Sequence, residues 1–202
     1  MDQKPPTTLI FQSAKLGDIN WIIKELDWAE GLINEKLKIG RVFGVSGGNL
    51  AALAFGLSLA ARNQPKTWGK LHNAIPDFRA YLRGAKSRKI RAPKINPLYG
   101  FHDLKPLREW VGKYLCTNTG REDWYISDLG IPLYLCTLDC DAIFRMYGLE
   151  DHNLQSDYGF IHISPPRDAL LMDALTAGLS TLLSTSPTLV SGEWRFDCRP
   201  AI

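Results

Sequence analysis

Residues 41–63 read RVFGVSGGNLAALAFGLSLAARN, a short apolar run that passes through a glycine-flanked serine into a long stretch rich in alanine and leucine. RVFGV has the length and branched, aromatic character of a buried strand, and GGNLAALAFGLSLAARN has a helical pattern whose small residues allow close packing against a sheet. Between them Gly44, Ser46 and Gly48 spell G-x-S-x-G, in the strand-to-helix context that gives the motif its mechanical meaning. Such a turn forces Ser46 into a strained conformation, with glycines where neighbouring chain must come close. It also sets the hydroxyl at a helix N-terminus, where aligned amides favour negative charge developing on a reacting oxygen. Ser46 is therefore the candidate nucleophile.

Working outward, TLIFQ at residues 8–12 reads as a preceding buried strand. Ile22, Leu26, Ala29, Ile33 and Leu37 then recur at helical spacing, with Lys24, Glu25, Asp27 and Glu30 largely between them, so an amphipathic helix runs towards a stop at Gly40. Beyond the second helix, residues 67–97 lose periodicity and gather Arg79, Arg83, Lys86, Arg88, Lys89, Arg91 and Lys94, which predicts a basic, partly irregular surface excursion. Asp103 is placed to cap a helix LKPLREWVGKYL, with Pro106 tolerated in its first turn. IPLYLCTL at 131–138 predicts a central strand, YGFIHIS near residue 160 another, and DALLMDALTAGLSTLL a further helix. TLVSGEW and WRFDC predict a closing hairpin that turns at Ser191 and Gly192. Alternating strands and helices give an α/β class with a largely parallel sheet.

The chain has 202 residues, 45% hydrophobic and 22% charged, which suits one soluble domain with a substantial core. A net charge of +3 is too slight to call for nucleic acid, but does not oppose contact with an anionic membrane surface. Asn49, Ser58 and the glycines interrupt the longest apolar stretch before it reaches the roughly 18 residues of a membrane span. The polar, proline-bearing start MDQKPPTT lacks the pattern of a secretion signal, so a cytoplasmic location is expected, with any membrane contact peripheral. Cys116, Cys136, Cys140 and Cys198 form no CxxC pair and no zinc-type spacing, so they read as structural thiols, and neither metal nor cofactor is expected.

A serine nucleophile needs a base, and the histidines on offer are His72, His102, His152 and His162. A serine–histidine hydrolase with the elbow deep in the chain and a late histidine fits poorly, because only one strand precedes the elbow strand and no histidine follows His162.

The order of elements resembles the patatin-like phospholipases over nearly the whole chain. QSAKLG at 12–17 occupies the place of that family's glycine-rich oxyanion loop, FHDLKPLREWV resembles its Asp-x-x-Pro-Leu helix start, and IPLYLCTLD its next core strand. Asp197 in EWRFDCR stands where the family carries its dyad aspartate. The resemblance implies a three-layer α/β/α domain over residues 1–202 and hydrolysis of lipid or phospholipid acyl esters by a Ser46–Asp197 dyad without histidine, metal or cofactor. It further implies an oxyanion hole built from the amides of Ser13, Ala14, Gly17 and Gly47. Two departures stand out: Gly17 alone survives of the loop's glycines, and Cys198 and Arg199 replace the small residues after the aspartate. The family also continues where this chain stops at Ile202, so a fragment, a divergent member and a catalytically inactive module binding lipid or a protein partner all fit.

Overall fold

The computed structural model describes residues 6–12, 18–35, 37–85, 92–93, 102–139, 168–180, 185 and 187–197. Strand β1 (Thr7–Gln12) leads to helix α1 (Ile19–Asn34), whose N-terminus is capped by the Asp18 carboxylate accepting from the Trp21 amide at 3.2 Å. Strand β2 (Ile39–Val45) and helix α2 (Gly48–Asn63) follow, divided only by Ser46 and Gly47. Helix α1 ends at Asn34 rather than running to Gly40; that glycine lies inside β2, where a Cβ would stand 2.7 Å from the Pro6 ring. The glycine marks a close approach of chain to chain, not a helix stop.

The stretch expected to be irregular is mostly helical. Helix α3 (Pro65–Trp68), a 3-10 turn (Gly69–Asn73) and α4 (Ala74–Gly84) occupy it, and α4 buries Ala74, Ile75, Phe78 and Leu82 at helical spacing. Its cation Arg79 is not simply solvated: it donates to Asp27 at 2.5 Å and to Glu30 at 2.7 Å on α1. These hydrogen bonds raise its already high pKa. Lys86, Arg88, Lys89, Arg91 and Lys94 lie outside the described residues.

A two-residue pairing of β3 (Ala92–Pro93) with β4 (His102–Asp103) precedes α5 (Lys105–Thr119). Asp103 accepts from the Lys105 amide at 2.9 Å, which satisfies a donor at the start of that helix. Phe78, Tyr81, Trp110 and Tyr114 stack α4 on α5. Burial, and then the hydrogen bond to Asp77, hold the Tyr114 hydroxyl well above the ordinary tyrosine range. A 3-10 turn (Ile126–Leu129) leads to β5 (Leu133–Asp139), and α6 (Leu171–Leu179) to the hairpin of β6 (Thr188–Val190) and β7 (Glu193–Asp197). The hairpin turns at Ser191 and Gly192, both at positive φ, as expected. The expected strand near residue 160 lies outside the described residues.

The five-stranded sheet has the order β1-β2-β5-β7-β6. β1, β2 and β5 are mutually parallel and the other two pairings are antiparallel, so the sheet is mixed rather than largely parallel. From β1 to β5 the strands add in one direction, and right-handed crossovers then place the connecting helices on one face. α1 accordingly packs on α2, and α2 on β1, β2 and β5. In β1, Leu9 and Phe11 are buried while Ile10 between them is 59% exposed, an alternation that puts Leu9 and Phe11 on the face packed by the described helices. On the other face the Phe43 and Tyr134 rings stack across β2 and β5 at 4.5 Å. α2 is buried on all sides from Gly48 to Ala61 and forms the axis of the core.

Candidate active site

The β2–α2 turn carries the geometry its sequence predicts. Ser46 has φ 54, one of two non-glycine residues at positive φ among those described, and it is buried. A left-handed conformation costs an L-residue about 1–2 kcal/mol, so surrounding structure must impose it. The two motif glycines show how. A Cβ on Gly44 would lie 2.6 Å from Asn49 Cα and 2.8 Å from Ala52 Cβ, and one on Gly48 would run into the Phe11 carbonyl. The helix thus presses on its own preceding strand and on β1, leaving the backbone one sharp path between them.

The Asn49 amide donates to the Ser46 carbonyl at 2.9 Å and the Leu50 amide to the Gly47 carbonyl at 3.1 Å, so the amides of Gly47 and Gly48 are the first donors of the α2 N-terminus. Gly47, expected as an oxyanion donor, is therefore placed beside Ser46 at the positive end of a 16-residue helix. The end of β1 touches the same place, with the Gln12 amide 3.0 Å from where a Gly48 Cβ would stand. Ser13, Ala14 and Gly17 lie outside the described residues.

Asp197 is placed by strand register. Val45 pairs with Cys136 across β2 and β5, and Thr137 pairs with Asp197 across β5 and β7. Ser46, next after Val45, leaves the sheet level with Thr137, and Asp197 ends β7 on the opposite side of that residue. Two interstrand spacings separate the two backbones, about 10 Å for strands 4.7–4.9 Å apart. The side chain of Asp197 lies outside the described set. Thr137 between them is fully buried and accepts from Arg195 Nη1 at 3.0 Å, and Arg195, also buried, binds Glu193 in turn.

Asn49 is a residue of this region that the sequence did not single out. It is fully buried, and its carboxamide donates to the Cys136 carbonyl at 3.3 Å and to the Gly178 carbonyl at 2.9 Å. Those partners are 87 and 129 residues away, and nothing local in GGNL announces them.

The histidines take no part here as far as they are described. His72 Nδ1 bonds the Gly69 carbonyl at 2.8 Å, within its own turn, and His102 lines a cavity of about 480 Å³ with Arg108, Asp173, Ser180 and Trp194, of which Ser46 is not a lining residue. His152 and His162 lie outside the described residues. Cys116 is a free thiol, Cys136 is buried, and no group of His, Cys, Asp and Glu among the described residues could hold a metal ion. No helix among the described residues is long and apolar enough to cross a membrane. Comparison with protein-family models, curated protein sequences and solved structures finds no significant match for the chain.

Proposed function

We propose that the chain is an acyl ester hydrolase of patatin-like, three-layer α/β/α type, acting on lipid or a related ester with Ser46 and Asp197 as a dyad, without metal, cofactor or histidine. The observation that carries this reading is the strained backbone of Ser46, φ 54, at a strand-to-helix turn whose flanking glycines are both required by contact. A protein seldom retains such strain at a turn that does nothing with it. The register that sets Asp197 level with Ser46 across Thr137 supports the partner assignment.

In this reaction the Ser46 hydroxyl oxygen attacks the ester carbonyl carbon while its proton passes to the Asp197 carboxylate. The negative charge formed on the carbonyl oxygen is met by the amides of Gly47, Ser13, Ala14 and Gly17. Collapse breaks the bond to the leaving alcohol, which takes the proton from Asp197. Water then attacks the acyl-serine, gives a proton to Asp197 and releases the carboxylic acid as the proton returns to Ser46. Substrates of this kind suit a cytoplasmic protein that meets a membrane peripherally.

The second reading is a patatin-like module without catalysis, binding lipid or a protein partner. It is favoured by the burial of Ser46, 2% exposed. Reaction with a fluorophosphonate probe and turnover of a short-chain nitrophenyl ester separate the two. The hydrolase reading expects both in the wild type, loss of both in Ser46→Ala, and loss of turnover in Asp197→Asn. A wild type inert to both reagents supports the silent module, and activity that survives Ser46→Ala removes the dyad altogether.

A further inference from the structure

We propose that Asn49 is the positioning residue of this site: its carboxamide fixes the distance between the element that carries Ser46 and the elements that carry Asp197. The inference rests on the hydrolase reading above.

Asn49 occupies the first turn of α2, three residues after Ser46, and is wholly buried. One of its N–H groups reaches the Cys136 carbonyl on β5, immediately before Thr137, the residue that pairs with Asp197. The other reaches the Gly178 carbonyl in the last turn of α6, the helix that packs on β6 and β7. A single side chain therefore ties the nucleophile's helix to both supports of the strand ending in Asp197. Both partners are carbonyl acceptors, so only a two-donor amide of this length satisfies them, and an aspartate would set its oxygens against theirs.

The surroundings are shaped to the carboxamide. A Cβ on Gly178 would collide with Asn49 Nδ2, and one on Gly44 would lie 2.7 Å from Asn49 Oδ1. Glycines on two separate elements thus make room for one amide. Asn49 Oδ1 itself is buried without a hydrogen-bond partner among the described residues, a cost that a purely space-filling side chain would not carry. An apolar residue would avoid that cost but would take a donor from the buried Cys136 and Gly178 carbonyls, so the amide is retained for its donors.

The test uses the full chain and a fluorophosphonate probe, with the maximal inactivation rate measured separately from the half-saturating probe concentration. Misplacing a reacting group by about 1 Å costs as much as 100-fold in rate. Asn49→Ala and Asn49→Asp are therefore expected to lower the maximal rate about 10- to 100-fold, with half-saturation changed less than about twofold, in protein shown by circular dichroism to be folded at the assay temperature. Gly178→Ala displaces the same amide and should slow the reaction similarly. Combined with Asn49→Ala it should add nothing, because the shorter side chain leaves room for the new methyl. If Asn49→Ala fails to fold, Gly178→Ala carries the test alone. Folded variants that react at the wild-type maximal rate overturn the inference and leave the hydrolase reading standing. A wild type that does not react overturns the hydrolase reading and this inference with it.

Discussion

A Cβ added to Gly48, at the β2–α2 turn, meets the backbone of Phe11, whereas one added to Gly192, at the β6–β7 turn, meets nothing within 4 Å. Both turns hold a serine at positive φ, Ser46 at 54 and Ser191 at 49, and the hairpin also holds Gly192 at 88. The first turn is fixed by what presses on it from the core; the second is fixed by its own dihedral preferences and by register with β5. The proposed nucleophile therefore sits on an element that cannot shift without repacking α2, and the proposed acid at the far end of a hairpin strand whose own turn has open space around it.

The largest expected effect tests the rigid end. Gly48→Ala sets a methyl against a carbonyl that belongs to a strand and cannot rotate away, so the chain is expected to lose about 3 kcal/mol or more. At about 2–4 °C per kcal/mol for a chain of this size, the melting temperature falls by about 6–12 °C. Gly192→Ala faces only the left-handed penalty in open space, about 1 kcal/mol once the stiffer unfolded chain is counted. Thermal unfolding of the pair reads the difference directly. Equal losses would mean that the β2–α2 turn is no more constrained than the hairpin.

Thr137→Val examines the connection between the two ends. The Thr137 hydroxyl, wholly buried, accepts from Arg195 at 3.0 Å, and valine keeps the shape while removing that acceptor. A hydrogen bond to a charged group lost in the interior costs about 2 kcal/mol. Because Arg195 belongs to β7, amide exchange is expected to quicken in β7 and to remain slow in β2. Faster exchange spreading equally into β2 would show that the hairpin and the elbow form one cooperative unit.

This contrast also explains what could be read from the chain before its structure. The elbow is a local pattern, an apolar strand, a serine between glycines and a small-residue helix, so RVFGVSGGNLAALAF shows it in one line. The β6–β7 hairpin is equally local, with Ser191 and Gly192 marking its turn. Gly40 differs from its expected role because a glycine at a close approach and a glycine at a helix end look alike in sequence, and only the fold brings Pro6 against it. Helix α4 is masked in sequence by its charges: Ile75, Phe78 and Leu82 have helical spacing, but Arg79 and Arg83 read as solvated, whereas Arg79 pairs with Asp27 and Glu30 on α1. The Asn49 bridge joins carbonyls on β5 and α6, and no neighbouring residue predicts a bond that only the assembled core creates.

The smallest effects test strain itself, and they have the opposite sign. Ser46→Gly removes a Cβ from a left-handed residue, and after the entropy of a looser unfolded chain it is expected to stabilise the fold by about 1 kcal/mol, or about 2–4 °C. Ser191→Asn places the residue preferred at the first position of this hairpin turn, and is expected to add a few tenths of a kcal/mol. The two substitutions relieve the same kind of strain, yet their consequences for chemistry differ. Ser46→Gly should abolish reaction with the fluorophosphonate probe, whereas Ser191→Asn should leave it unchanged. A stabilised but unreactive Ser46→Gly would make the strain at Ser46 the cost of a working hydroxyl, since the fold alone is better served by glycine. If Ser46→Gly instead lowers the melting temperature, the serine is contributing to packing or hydrogen bonding, and strain held for function no longer accounts for that residue.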